Sequence, residues 1–295
     1  MFSIKSIKRQ TVKNNLWYYL LLALPLICYF VIFFKPVVEG LLLSFYKWDG
    51  LSVQKTFVGF QNYVRIFTID TSFWPAFKNT LIYMLFVVLI GGSLGLLVAV
   101  LIYRKHFVNN IFRTVFYMPG VLSTIAVAFM WSNAIYNPNF GLLNDFLHAV
   151  NLDSLARVWL GEKSLIIFSV AAVQVYMDFG MNMVLFIAGL QDIPEEMYES
   201  ARIEGANPFQ SFAYITVPLL KGTISLVFIL AMISSVRSFD LMYLLAENTD
   251  VLATYLFKEM FANGRVGTGS ATAIVLLALV LFFTILQGYL TRDKD

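Results

Sequence analysis

The chain has 295 residues, 59% of them hydrophobic and 13% charged, with a mean hydropathy of +0.74. A soluble domain carries about a quarter of charged residues, so this composition belongs to an integral membrane protein. The net charge of +3 is small and the basic residues form no tract, which gives no case for nucleic-acid binding; one cysteine, Cys28, excludes an intrachain disulfide.

Crossing a bilayer core takes about 20 apolar residues. Six segments reach that length, at 16–34, 80–103, 114–136, 164–190, 222–245 and 270–290, so the expectation is one all-α membrane domain over 1–295. Lys5, Lys8, Arg9 and Lys13 precede the first segment, which is longer than a signal core and lacks a small-x-small cleavage site, and so reads as a retained span. Residues 35–79 follow, rich in Trp48, Phe57, Tyr63, Phe67, Phe73 and Trp74. They suit either an aromatic belt at the interface or a small folded cap.

Gly91 and Gly95 in the second span have the spacing that lets two helices approach closely. Arg104, Lys105 and Arg113 come next, and with the N-terminal lysines they place both termini in the cytoplasm. Pro119-Gly120 favours a break near the start of the third span. Beyond that span Asn137-Pro138 marks a turn, and Phe140 either packs on neighbouring loops or meets a partner.

Gln174, Asp178 and Asn182 are spaced by four, so they share one face of the fourth span. An ionisable side chain in a span requires a partner or an aqueous cavity. Asp178 therefore either joins helices, with Arg237 as its counter-ion, or lines a hydrophilic path where amides and carboxylates meet hydroxyl groups. Arg237 and Asp240 are three apart on the fifth span and suit an intrahelical ion pair. Ser234 and Ser235 suit bonds back to their own helix, and Tyr176 and Tyr243 suit packing or stacking on a sugar ring. His106 and His148 read as polar loop residues, too few for a metal site.

The most unusual stretch is 192–218, which places Asp192, Glu195, Glu196, Glu199 and Glu204 within an otherwise apolar chain. Pro194 suits a helix start with acids in its first turn, and Gly205 suits the left-handed residue that stops the helix. Asn207-Pro208 opens a second short helix that ends before Pro218. Anionic membrane surfaces attract Lys and Arg, so this acidic helix–turn–helix suits a protein partner better than lipid.

Glu199-Ser200-Ala201, Gly205, Ile215 and Val217-Pro218 keep the spacing of the EAA loop of bacterial ABC importer permeases, which this segment resembles. SFYKWDG (44–50), VGFQNYVRIF (58–67), FRTVFYMPGVLS (112–123), NPNFGLLN (137–144) and SFDLMYLL (238–245) are similar, in the same order, to sugar-type permeases of the maltose-type, first-subunit group. The resemblance implies the type I importer architecture: six spans in the bacterial cytoplasmic membrane and a cytoplasmic coupling loop formed by Glu199, Ser200, Ala201, Gly205, Ile215 and Pro218. It implies a substrate path beside the fourth and fifth spans, where Gln174, Asp178, Asn182, Arg237 and Asp240 lie. It also implies a dock for a binding protein near Asn137 and Phe140. The implied partners are a second homologous permease, two ATPase subunits that carry ATP and Mg, an extracellular sugar-binding protein and membrane lipid. The chain departs from many relatives at 246–251, where Ala-Glu-Asn-Thr-Asp-Val replaces a glycine-rich run.

The chain has no G-x-x-x-x-G-K-[ST] sequence, and Gly267-Thr268-Gly269-Ser270 lacks the rest of such a loop. It also has no H-E-x-x-H motif and no histidine in a span to serve a nucleophile. The expectation is therefore a permease that is not an enzyme, with no catalytic residues and no cofactor of its own. A secondary sugar or ion transporter is the alternative, but internal repeats or paired broken helices would mark one. An importer of glycerol phosphate-type solutes is the other.

Overall fold

The computed structural model describes residues 19, 21–103, 106–247 and 249–291. Lys5, Lys8, Arg9, Lys13, Arg104 and Lys105, which set the expected orientation, lie outside them.

Among the described residues four helices are long and apolar enough to cross a membrane: Leu21–Leu43, Phe73–Ile102, Ile166–Gln191 and Val266–Tyr289. Two bent pairs bring the number to six if each pair is one span. They are Ile111–Val121 with Thr124–Ile135, bent by 98°, and Pro208–Leu219 with Lys221–Arg237, bent by 70°. The order of these spans matches the sequence expectation, but several ends and breaks differ.

The first span runs nine residues past Phe34, through Lys35-Pro36, to Leu43. A widened turn at Phe30–Phe34 precedes Pro36, and Lys35 donates to the Phe30 carbonyl. Such a turn makes room for a proline, which lacks an N–H and crowds the carbonyl one turn back. The same device recurs at Phe212–Thr216, just before Pro218. In the third span the break falls at Leu122-Ser123, where Ser123 is extended, and Pro119 stays inside the preceding helix. The fifth span does not reach residue 245 unbroken. It ends at Arg237, Ser238 leaves helical geometry, and a separate short helix follows at Phe239–Leu245.

Residues 44–69 form a folded cap. Strands β1 (Tyr46–Lys47) and β2 (Thr56–Phe57) pair antiparallel. The buried Asn62 amide donates to the Ser44 and Tyr46 carbonyls, and the Val266 N–H donates to the Trp48 carbonyl, which ties the cap to the sixth span. Asp49 closes the hairpin by accepting from the Ser52 and Leu51 N–H groups and the Ser52 hydroxyl, bonds that pull its pKa down to about 2. Trp48, Phe57, Tyr63 and Phe67 thus belong to a folded cap, while Phe73 and Trp74 open the second span.

Small residues set the helix crossings, since lipid gives apolar helices no reason to prefer each other over the bilayer. A Cβ on Gly95 would stand 2.8 Å from that of Asn182, and one on Gly180 would stand 1.9 Å from the Phe116 carbonyl oxygen. The second, third and fourth spans therefore touch nearly backbone to backbone. One apolar cluster around Val87, Val170, Val173 and Met242 and another around Phe186, Ile187, Leu190 and Leu220 use residues of the fourth span on either side of Gln174 and Asp178.

Candidate functional site: a polar cleft and a helix–turn–helix loop

The fourth span is helical from Ile166 to Gln191, so Gln174 and Asp178 sit one turn apart in its middle. One Asp178 carboxylate oxygen accepts from the Gln174 amide at 2.8 Å and from the Ser234 hydroxyl at 2.7 Å. The Gln174 carbonyl in turn accepts from Ser238 at 2.9 Å, and the Tyr83 hydroxyl lies 2.8 Å from that of Ser238. Tyr83 of the second span, Gln174 of the fourth, Ser234 of the fifth and Ser238 at the break after it thus form one network with Asp178. Tyr83, Ser234 and Ser238 are the members that sequence reasoning does not assign to the site; they lie far away along the chain. Ser235 does bond back to its own helix, at the Met232 carbonyl, whereas Ser234 turns across to Asp178.

A cleft of about 400 Å³ opens beside this network, lined by Gln174, Met177, Ser234, Arg237, Ser238 and Asp240 among others. Both Arg237 and Asp240 are exposed. Among the described residues no ion pair joins Arg237 to Asp178 or to Asp240. The expected intrahelical pair fails because the helix breaks at Ser238, between the two residues. Asn182 is not brought to the cleft. It is 5% exposed, packed against Gly91 and Gly95, and its amide nitrogen has no hydrogen-bond partner. A spacing of four places three residues on one helical face, but Gly91 and Gly95 of the second span close over that face at Asn182. Tyr176 packs edge-on against Trp131, and Tyr243, 55% exposed, stacks on Phe239.

At the other end of the bundle the acidic segment folds as two short helices. The first, Glu195–Ile203, begins just after Pro194 and carries Glu195 and Glu196 in its first turn, where the helix dipole favours them. Gly205 stops it at φ +83, with the Gly205 N–H donating to Arg202 and the Ala206 N–H to Ala201. This paired arrangement satisfies carbonyls that the helix end leaves free. The second helix starts at Pro208 with a reciprocal cap: Asn207 accepts from the Gln210 N–H, and the Gln210 side chain accepts from the Asn207 N–H. The Tyr198 hydroxyl lies 2.9 Å from that of Thr216 and ties one helix to the other. Ile193 is buried, Ala201 and Ile215 are half-buried, and Glu199, Ser200, Gly205 and Pro218 are exposed. Met197, Ile203, Phe209 and Tyr214 are exposed as well, the last three by more than three-quarters. Apolar groups at such exposure are of the kind that protein or membrane contact covers.

At the cap end, the Asn137 side chain accepts from the Asn139 and Phe140 N–H groups, forming the expected turn, and Phe140 is 65% exposed.

A helical membrane bundle with a hydrogen-bonding cleft between its spans is built to pass a polar solute. The chain belongs to the family of binding-protein-dependent transport system inner membrane components, whose model matches residues 91–295. It is 34% identical over 282 residues to the probable ABC transporter permease protein YurN of Bacillus subtilis (strain 168), a match spanning 93% of this chain and 96% of that one. It is 30% identical over 283 residues to the arabinooligosaccharides transport system permease protein AraP of Halalkalibacterium halodurans, a match spanning 92% of this chain and 87% of that one. A bacterial ABC transporter involved in the import of the acidic polysaccharide alginate shares the fold, with a TM-score of 0.81 at 22% identity over 97% of this chain and 98% of that one. A second structure of the alginate transporter, in complex with an alginate pentasaccharide-bound periplasmic protein, also scores 0.81 at 23% identity, covering 96% of each chain.

Proposed function

We propose that this chain is one permease subunit of an ATP-driven importer of sugars or oligosaccharides. It forms half of the translocation path, pairs with a second permease, and receives solute from an extracellular binding protein near Asn137 and Phe140. Its termini and the loop at 192–218 lie in the cytoplasm, where Glu199, Ser200, Ala201, Gly205, Ile215 and Pro218 present the loop to an ATPase pair. The ATP and Mg belong to those partners, and the chain itself catalyses no covalent step.

The observation that carries this reading is the cleft beside Asp178. Its wall offers an amide, three hydroxyls, one cation and one carboxylate, groups that exchange hydrogen bonds with hydroxyls without demanding a charge on the solute. Relatives named for the transport of arabinooligosaccharides and of multiple sugars support the same class. Closure of the ATPases tilts the loop, the tilt passes into the fifth span, and Ser234 and Ser238 shift against Gln174 and Asp178.

Arg237, exposed at the cleft without an anionic partner among the described residues, favours a second reading: an acidic solute such as a uronate or a glycerol phosphate. Uptake into proteoliposomes holding the full complex, with a panel of neutral oligosaccharides, uronates and glycerol 3-phosphate, separates the two. Binding-protein-dependent, ATP-driven uptake of a neutral sugar supports the first. Uptake of the anions alone, lost in Arg237→Gln, supports the second. ATP-independent uptake driven by an ion gradient overturns both.

A further inference from the structure

Away from the cleft and the loop, a cavity of about 590 Å³ opens between the cap ends of the second and fourth spans, lined by Trp74, Lys78, Lys163, Ile82, Ile167 and Phe168 among others. Lys78 and Lys163 lie at its cap side; Ile82, Ile167 and Phe168 follow about one turn further along their helices. Both lysines are exposed, and neither has an ion pair or hydrogen bond among the described residues. Trp74, 52% exposed, is fixed by its indole N–H donating to the Phe67 carbonyl at 2.9 Å. Aromatic side chains of this kind mark the level of lipid headgroups.

Beyond the cavity the same helix face stays apolar and open, with Leu85 at 47% and Leu89 at 53% exposure. From position 78 to position 89 the helix rises about 16 Å, close to half of the roughly 30 Å hydrocarbon core. The groove is therefore one leaflet deep, with two uncompensated cations at its mouth and hydrocarbon side chains below.

We propose that this groove is a binding site for one anionic phospholipid of the phosphatidylglycerol type. Its phosphate sits between the Lys78 and Lys163 ammonium groups, and an acyl chain lies along Ile82, Leu85 and Leu89. A packed protein helix would supply the apolar contact but leave both ammonium groups without a counter-charge. A phospholipid supplies charge and hydrocarbon in one molecule, at the depth each is required. The site rests on the membrane placement of the chain and not on which solute it passes.

The test uses the full chain, purified within its complex in mild detergent and stripped of lipid, with retained lipid counted by native mass spectrometry. Phosphatidylglycerol should bind at one position where phosphatidylcholine does not. Each lysine-to-glutamine change should weaken that binding by about fivefold, and Lys78→Arg with Lys163→Arg should keep it. Lys163→Gln alone, a change at an exposed position before the span begins, serves if the double variant does not fold. Equal retention of the two lipids, or full phosphatidylglycerol retention in the double glutamine variant, overturns the site. So does displacement by an equal concentration of glycerol 3-phosphate, which would make a free headgroup anion the ligand. A crosslink from a cysteine at position 85 to the second permease overturns it too, because protein would then cover the groove.

Discussion

The loop at 192–218 and the network around Asp178 are held by opposite means. The loop is held locally: Gly205 bonds to Arg202, Ala206 to Ala201, and Asn207 and Gln210 to each other. The network is held from afar, since Tyr83, Gln174 and Ser234 belong to three spans and Ser238 to the break after the last of them. A locally determined unit keeps its shape while it moves as a body. A unit assembled from three helices changes whenever one of them shifts. That difference suits the first to transmit force and the second to respond to it.

The largest effect is expected where the fourth span, which carries Gln174 and Asp178, crosses the third. Gly180→Leu would drive a side chain into the Phe116 carbonyl, where even a Cβ stands at 1.9 Å. No monodisperse complex should survive detergent extraction, and recovery at wild-type yield would show that the crossing does not depend on this contact.

Gly205→Val comes next. A branched side chain at φ +83 costs at least about 1–2 kcal/mol, while open space surrounds the site, so the penalty falls on the turn and not on the packing. Sugar-stimulated ATPase activity should fall about tenfold or more as the second helix is misplaced, with assembly nearly intact. Near-normal stimulation in the reconstituted variant would remove the loop from the coupling route.

Asp178→Ala leaves the Gln174 amide and the Ser234 hydroxyl without their shared acceptor. Lost hydrogen bonds between spans are worth about 1 kcal/mol, so assembly should persist while transport rate or selectivity changes several-fold. Collapse of the complex with no change in per-molecule transport would make Asp178 a structural joint only.

Thiol labelling sharpens the comparison within the fourth and fifth spans. After replacement of the exposed Cys28, single cysteines at 237 and 240 should react with aqueous reagents in at least one nucleotide state, and one at 182 should not. Reaction at 182 matching that at 240 would place Asn182 on the path after all.

The smallest effect is expected for Phe140→Asp, which should weaken capture of loaded binding protein by a nanodisc complex by a few-fold, a typical loss for one exposed contact. Unchanged capture would remove the docking role.

The same contrast explains what the amino-acid order revealed. Proline, glycine and asparagine act within a few residues of themselves, so Gly205 and Asn207-Pro208 marked the loop's turn and cap. Hydropathy marked the spans, because a bilayer of fixed depth imposes a length. What stayed hidden depends on distant neighbours. Periodicity grouped Asn182 with Gln174 and Asp178, yet only the approach of Gly91 and Gly95 decides that Asn182 is covered. Ser234 and Ser235 are chemically alike in sequence, and only the position of the fourth span turns one of them outward to Asp178. The break at Ser238 carries no proline or glycine to announce it. Lys35-Pro36 read as the end of a span, because a widened turn that shelters a proline has no signature of its own.

The fifth span, finally, has the proportions of a crank. Its arm, Lys221–Arg237, is 17 residues long and starts at Leu220, where the chain turns by 70° from the loop. Ser234 lies about 20 Å along that arm. A swing of about 10° at that turn would carry its hydroxyl roughly 3 Å, more than the whole 2.7 Å reach of its bond to Asp178. A rotation too slight to disturb the packing near the turn is therefore enough, at the far end, to unlatch the network from the arm.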